Sequence, residues 1–194
     1  QQRTKGFAMW LTLDDVADLT KGKHCQKTDG NIPIIGSGKK PTGYTDKANT
    51  GDDTITISTR GTVGKIYRWR EPIWASETCL VIDPKPMIFK DYLYHYLKKH
   101  EREIREFHNC QTIVEIDINR LRKLPVFVPD RYTQADIVAD LERLALDISH
   151  IDKKIKAVNA LSKAMAESLL NFERVSAATV NKTKPIKQID MVGL

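Results

Sequence analysis

Between positions 133 and 172, apolar residues recur at alternating steps of four and three: Ile137, Leu141, Leu144, Ile148, Ile151, Ile155, Val158, Met165, Leu169 and Phe172, with Ser162 at the one gap. That is a 3.5-residue period held over about five heptads, the condition for a left-handed coiled coil. No Gly or Pro interrupts it, and Thr133, followed by Asp136, is placed to cap its start. From position 137 to 172 such a helix measures about 50 Å at about 1.5 Å per residue. The rest of the chain makes a domain with a radius of gyration of about 15 Å, so a helix this long overhangs its edge. Each large apolar side chain left wet forgoes about 1.5–3 kcal/mol. Residues 1–132 offer no second helix of that length, so we expect the covering helix to come from another chain; the alternative is a helix lying along its own domain. Ser162 either fixes register or is merely tolerated.

Three regions follow: a globular part (1–132), the long helix (133–172) and a tail (173–194) that loses the period, contains Pro185 and is expected to be mobile. The chain opens on Gln1 without an initiator Met, which suggests an excised part of something longer. With 41% hydrophobic and 29% charged residues it belongs with soluble globular proteins. No apolar run approaches the roughly 20 residues that span a bilayer, and positions 1–10 carry no signal-peptide core. We expect a cytoplasmic protein. Cys25, Cys79 and Cys110, three in number and widely spaced, form neither a disulfide framework nor a metal motif and read as ordinary thiols. The net charge is +6; the helix carries −1 and the tail +2, which leaves +5 on the globular part. A basic domain beside a near-neutral helix suits a polyanion partner.

Within that domain, residues 12–19 (TLDDVADL) read as a short helix capped by Thr12 and ended near Gly22. Ile32-Pro33-Ile34-Ile35 reads as an edge strand, because Pro33 has no N–H to give a ladder. Residues 53–59 alternate as a strand, residues 60–64 turn the chain, and residues 65–69 return as its hairpin partner. Residues 75–82 are a further strand candidate. Residues 91–107 form one helix that buries Tyr92, Leu93, Tyr96 and Leu97 and leaves Lys98, Lys99, Arg102 and Arg105 wet. Residues 124–128 are a last strand. The fold class is α+β: a small mixed globular domain followed by a long coiled-coil α-helix.

No catalytic centre emerges. Gly38-Lys39-Lys40 has Pro33 where a phosphate loop needs its first glycine and lacks the Ser/Thr after the lysine; the turn at 61–65 fails likewise. Asp83-Pro84-Lys85-Pro86 departs from the Asp-Pro-Pro-aromatic of amino-methyltransferases at its third and fourth positions, and no glycine-rich cofactor loop accompanies it; a turn is the better reading. His24, His95, His100, His108 and His150 show no zinc spacing. Cys110 with His108 lacks an orienting acid for a thiol nucleophile. We therefore expect no catalytic residue, no metal and no resident cofactor.

What two glycine-rich loops can do is bring backbone and cations up to phosphates. Ser37, Lys39, Lys40, Tyr44 and Lys47 belong to the first loop, and Arg60, Thr62, Lys65, Arg68 and Arg70 to the second. Phosphate contacts set affinity and register, while arginine, lysine and short polar side chains read base edges. Arg60, beside Ser58, Thr59 and Thr62, is the first candidate for a base contact, and Tyr44 the second. The plainer alternative is that these charges solvate hairpin tips.

Taken in order, residues 32–38 (IPIIGSG), 43–46 (GYTD), 57–65 (ISTRGTVGK), 125–129 (PVFVP) and Gln134-Ala135-Asp136-Ile137-Val138 resemble the target recognition domain of type I restriction–modification specificity subunits. The resemblance extends to about Phe172. It departs at Pro129-Asp130-Arg131-Tyr132-Thr133-Gln134, where the family usually has two prolines and an acid before the glutamine. Specificity subunits also carry two recognition domains and two long helices, where this chain has one of each. The resemblance therefore implies a half subunit that pairs with itself, or the specificity region of a fused methyltransferase. It implies further that paired antiparallel helices set the distance between two readers on double-stranded DNA, and that an adenine methyltransferase supplies the chemistry and binds S-adenosylmethionine. A symmetric homodimer would then recognise an interrupted palindrome. The competing readings are a coiled-coil adaptor whose basic domain binds a protein or a non-specific polyanion and, further off, an enzyme with an unrecognised centre.

Overall fold

A computed structural model describes residues 8–109 and 114–180. The chain divides into two compact units, residues 1–141 and 142–194.

The first unit begins with β1 (Met9–Thr12), α1 (Leu13–Val16) and β2 (Ala17–Lys21). Thr12 closes a capping box with Asp15, as the sequence suggests, but the helix is only one turn long. Ala17 is already extended, and it and the next four residues pair with β8 (Cys79–Pro84), a ladder that outweighs the local helical pattern. β3 (Ile32–Ile35) and β4 (Gly43–Thr45) flank the first glycine-rich loop. β5 (Thr54–Ser58) and β6 (Ile66–Trp69) form the expected hairpin. The strand expected over 75–82 is two strands, β7 (Trp74–Ala75) and β8, separated by a turn in which Cys79 N–H donates to Ser76 O at 2.9 Å. β7 joins one sheet and β8 another, so the turn carries the chain between them.

The helix expected over 91–107 is likewise broken, into α2 (Lys90–Lys99) and α3 (Glu101–Arg105), with His100 at φ −92°, ψ 8°. The break lets Glu101 accept from Ile66 N–H at 3.2 Å and from Lys65 Nζ at 2.7 Å, tying α3 to β6. Then come β9 (His108–Asn109), β10 (Glu115–Ile116), α4 (Ile118–Arg122), β11 (Pro125–Val128) and α5 (Arg131–Val180).

The main sheet has the order β2-β8-β5-β6, all antiparallel; a second has the order β4-β3-β7; β1 pairs with β11 and β9 with β10. β3 is therefore central, not an edge. Pro33 is tolerated because β7 pairs only with Ile34 and Ile35, leaving Pro33 opposite Tyr44 alone. β5 is buried on both faces. Its Ile55 and Ile57 enter the core with Leu80, Leu93, Leu97, Ile104, Leu121 and Val126. Its opposite face is satisfied by hydrogen bonds: Thr54 to Gly51 O, Thr56 from Trp69 Nε1 and Ser58 to Ser37 O. That is why Ile/Thr alternation persists with neither face in water.

The long helix starts at Arg131, earlier than Thr133. Asp130 takes the capping role, accepting from Tyr132 N–H at 3.0 Å, Thr133 N–H at 3.2 Å and the Thr133 hydroxyl at 2.6 Å. Thr133 donates to the cap instead of forming it. Gln134, 1% exposed, donates to Pro129 O and Met87 O and accepts from Phe89 N–H at 2.8 Å. These bonds fix the first turn of α5 against the loop before α2.

The second unit is the remainder of α5. Its apolar stripe is open: Leu144, Ile148, Ile151, Ile155, Val158, Met165, Leu169 and Phe172 are 51–71% exposed. The helix runs to Val180, past the expected end at position 172. Residues 181–194 of the expected tail, and Cys110, lie outside the described residues.

Candidate nucleic-acid interface

The two glycine-rich loops come together through one carbonyl. Ser37 O, between β3 and β4, accepts from the Ser58 hydroxyl at 2.7 Å and from the Thr62 hydroxyl in the β5–β6 turn. The turn is bent by Gly61 at φ 70° and Gly64 at φ 74°, backbone that side chains disfavour. A Cβ on Gly61 would lie 2.8 Å from Ser37 Oγ, so the loops meet this closely only with glycine there. Ser37, Arg60 and Thr62 thus form one cluster. Cys79 supports it from beneath, with its thiol against Ile35 O and Gly36 O and its pKa pushed up to about 11 by burial. That thiol is inert packing.

Arg60 sits where the turn meets β10. Its backbone bridges to Glu115, Ile116 N–H donates to Thr59 O at 2.9 Å, and its guanidinium donates to Glu115 Oε2 at 3.1 Å. Lys21 reaches Glu115 Oε1 at 3.3 Å. The hydrogen bond from Arg60 and the contact with Lys21 hold the Glu115 carboxyl below the usual carboxylate range, against a smaller desolvation. Arg60 remains 42% exposed, while its Nε is buried without a hydrogen-bond partner among the described residues. The guanidinium is held in one pose with part of its fork facing water.

The other candidates separate. Lys39, Lys40 and Lys47 are exposed, and Tyr44, 49% exposed, follows the first loop on β4. Lys65 is drawn toward α3 by Glu101, whose half-buried carboxyl is pushed up by desolvation yet stays below its usual range because Lys65, Lys98 and Ile66 N–H bond to it. Arg68 is held away from solvent by carboxylates. Its side chain is 8% exposed, grips Asp53 through Nε at 2.6 Å and Nη2 at 2.7 Å, and pairs with Asp91. A guanidinium so enclosed by two carboxylates is structural.

Other residues that the sequence did not single out lie at or beside this cluster. Glu115 lies 55 positions from Arg60 and follows no local motif. Arg102 and Arg105 of α3 line a recess of about 450 Å³ with Gly61, Thr62 and Val63, placing two more cations beside the β5–β6 turn. Asp83-Pro84-Lys85-Pro86 is a strand end and turn, with Lys85 N–H donating to Val16 O at 2.8 Å. Among the described residues no group of three His, Cys, Asp or Glu is placed to hold a metal ion, and no helix is long and apolar enough to cross a membrane. The arrangement is a rigid, cation-rimmed ledge with short hydroxyls at its centre, suited to phosphates and base edges.

Residues 9–160 match the family model described as type I restriction modification DNA specificity domain. Among curated proteins, a putative type I specificity subunit of Mycoplasma pneumoniae is 27% identical over 170 residues, covering 84% of this chain and 45% of its own length. The chain thus spans about half the length of the curated relatives it matches. Among solved structures, the S subunit of a type I restriction-modification system from M. genitalium shares the fold at a TM-score of 0.66 with 22% identity, over 77% of this chain and 42% of that one. A chain from a structure describing complex assembly and conformational transition of the type I R-M system aligns at 0.62 with 20% identity, over 90% of this chain and 45% of that one.

Proposed function

The chain belongs to the family of type I restriction modification DNA specificity domains, and from that membership we propose that it reads one half-site of duplex DNA and pairs with a second copy through α5. It does no chemistry itself: an adenine methyltransferase, with its endonuclease, is directed to the target and holds S-adenosylmethionine. The observation that carries the DNA-reading part is the clamp at Ser37, which welds two glycine-bent loops into one ledge beside a pre-aimed Arg60. Exposed Lys39, Lys40 and Lys47, with Arg102 and Arg105 beside the turn, supply phosphate contacts. Such contacts fix register, and Arg60 and the short hydroxyls supply selectivity.

The pairing part is supported by the stripe on α5. Side chains that are 51–71% exposed in one chain at a sustained 3.5-residue period call for a second helix. A two-fold pair would hold two ledges at a fixed separation, so the target is an interrupted palindrome. In this reading the ledge selects the bases and the helix sets the gap.

The test reconstitutes the chain with a type I methyltransferase subunit and sequences the methylated positions on genomic DNA. A split, symmetric motif with a fixed spacer is the expected result, together with a steep loss of affinity as salt rises. Methylation at a single unsplit motif, or a monomer by sedimentation at micromolar concentration, would remove the paired-reader account. Salt-independent binding would remove the DNA-reading part.

A further inference from the structure

Arg60 and Glu115 stand directly opposite one another, bridged backbone to backbone where the β5–β6 turn meets β10. Directly opposed residues send their side chains to the same face. Their neighbours fix which face: Thr59 and Ile116 are buried, and Ile116 N–H donates to Thr59 O at 2.9 Å. Side chains alternate along extended backbone, so Arg60 and Glu115 face outward together. The result is a donor and an acceptor side by side, Arg60 Nη2 3.1 Å from Glu115 Oε2, with side chains 42% and 29% exposed. Lys21 bonds to the other oxygen, and the two cations keep the carboxylate ionised, an acceptor only. An ionised carboxylate among reading residues repels phosphates and any base edge that offers only acceptors. It is tolerated against DNA where a base donor meets it.

We propose that Glu115 is a second base-reading residue and that it reads one G·C pair together with Arg60: Arg60 donates to guanine N7 and O6, and Glu115 accepts from the N4 amino group of the paired cytosine. The proposal rests on the DNA-reading part of the function above and adds to it which pair is read. In the major groove a G·C pair presents two acceptors and then a donor, N7, O6 and N4. An A·T pair presents acceptor, donor, acceptor and then a methyl group. Arg60 and Glu115 offer the complement of the first pattern, two donors and then an acceptor. The spacing agrees as well. Guanine O6 and cytosine N4 are hydrogen-bonded to each other at about 2.9 Å, close to the 3.1 Å between Nη2 and Oε2. Each terminal guanidinium nitrogen carries two N–H groups, so Nη2 serves Oε2 and O6 while Nη1 takes N7. A T·A pair gives the fork one acceptor and a methyl group, and a C·G pair sets the carboxylate against N7 and O6.

The test uses the full chain assembled with a type I methyltransferase subunit, without S-adenosylmethionine. Selection from a random duplex pool by the native chain and by Arg60→Ala finds the position that Arg60 reads, expected to be a G·C pair. Two analogues are then placed at that pair. 7-Deazaguanine removes the N7 acceptor, and N4-methylcytosine keeps its pairing hydrogen but puts a methyl group where Glu115 needs a donor. The native chain should lose about tenfold in affinity with either analogue. Glu115→Ala, with thermal unfolding measured alongside, should lose the penalty for N4-methylcytosine and keep the penalty for 7-deazaguanine. A native chain that tolerates N4-methylcytosine overturns the contact and leaves DNA reading intact; that comparison needs no variant, so it decides even where Glu115→Ala unfolds. Loss of both penalties in a folded Glu115→Ala reduces Glu115 to a positioning residue for Arg60. An A·T pair at the position relaxed by Arg60→Ala, or no relaxed position, also overturns the assignment. A native chain that selects no sequence removes the DNA-reading part itself.

Discussion

Arg60 and Arg68 look alike in the sequence, eight positions apart beside one hairpin, and both suit a phosphate or a guanine. What separates them are carboxylates brought from elsewhere in the chain. Asp53 and Asp91 enclose Arg68, whereas Glu115 and Lys21 leave Arg60 part of its fork in water. Local reading offers both arginines alike, because it cannot count partners supplied by tertiary structure. The two substitutions should therefore differ in kind. Arg60→Ala should cost about 1–3 kcal/mol of binding and relax selectivity at one base position, whereas Lys39→Ala should weaken all duplexes alike and reduce the salt slope by about 1. Selection from a random duplex pool, with affinities over a salt series, checks both. Arg68→Ala should leave selectivity alone and destabilise the fold by about 2–4 kcal/mol, because it strands two half-buried carboxylates. The same pair sets a pH response. The Arg68 hydrogen bond lowers the Asp53 pKa below its usual 3.8, so the stabilisation is intact above that value and is lost as pH falls through the lowered folded value. Urea midpoints should be higher for the native chain than for Asp53→Asn at pH 7 and should converge on the variant's as pH falls, because the variant lacks the carboxylate whose protonation removes this component.

At the scale of elements, legibility followed how local the cause was. The long helix was legible because its period is written residue by residue, although it continues to Val180 where the period has lapsed, and Asp130 displaced Thr133 as its cap by bonding two N–H groups and the Thr133 hydroxyl. The β5–β6 hairpin was also legible, since its alternation and its glycine turn are local. The errors share one origin: a long-range ladder or tie overrode a local pattern. β2 paired with β8 and cut α1 to one turn, the Glu101 tie broke α2 from α3, and the turn before Cys79 moved one run of residues between two sheets. Strand order, with β3 at the centre of its sheet, has no local signature at all. The hairpin turn gives a stability test at this scale. Gly64 combines φ 74° with Arg105 backbone atoms 2.8–2.9 Å from a would-be Cβ. Gly64→Ala should cost at least about 2 kcal/mol, whereas Gly51→Ala, with open space around it, should stay within about 0.5 kcal/mol. Denaturant unfolding of the two variants decides it, and equal midpoints would contradict the account.

For the whole molecule, the proposed function makes α5 a spacer whose length is a number of heptads. Inserting one further heptad after Val158 should keep the apolar seam continuous and move the two readers apart by about 10 Å, lengthening the gap between half-sites by about three base pairs. Inserting two residues instead should rotate the seam out of line and weaken pairing. Sequencing the methylated motif for each variant reads the spacer directly, and an unchanged gap with the heptad insertion would mean that α5 measures nothing. The Ser37 carbonyl carries a consequence of another kind. One oxygen anchors both loops, so drift in either alone would cut the other loose from its setting. New target preferences in such a scaffold would arise by exchanging the loop pair as a cassette, the way a key is recut along its whole edge and not at a single notch.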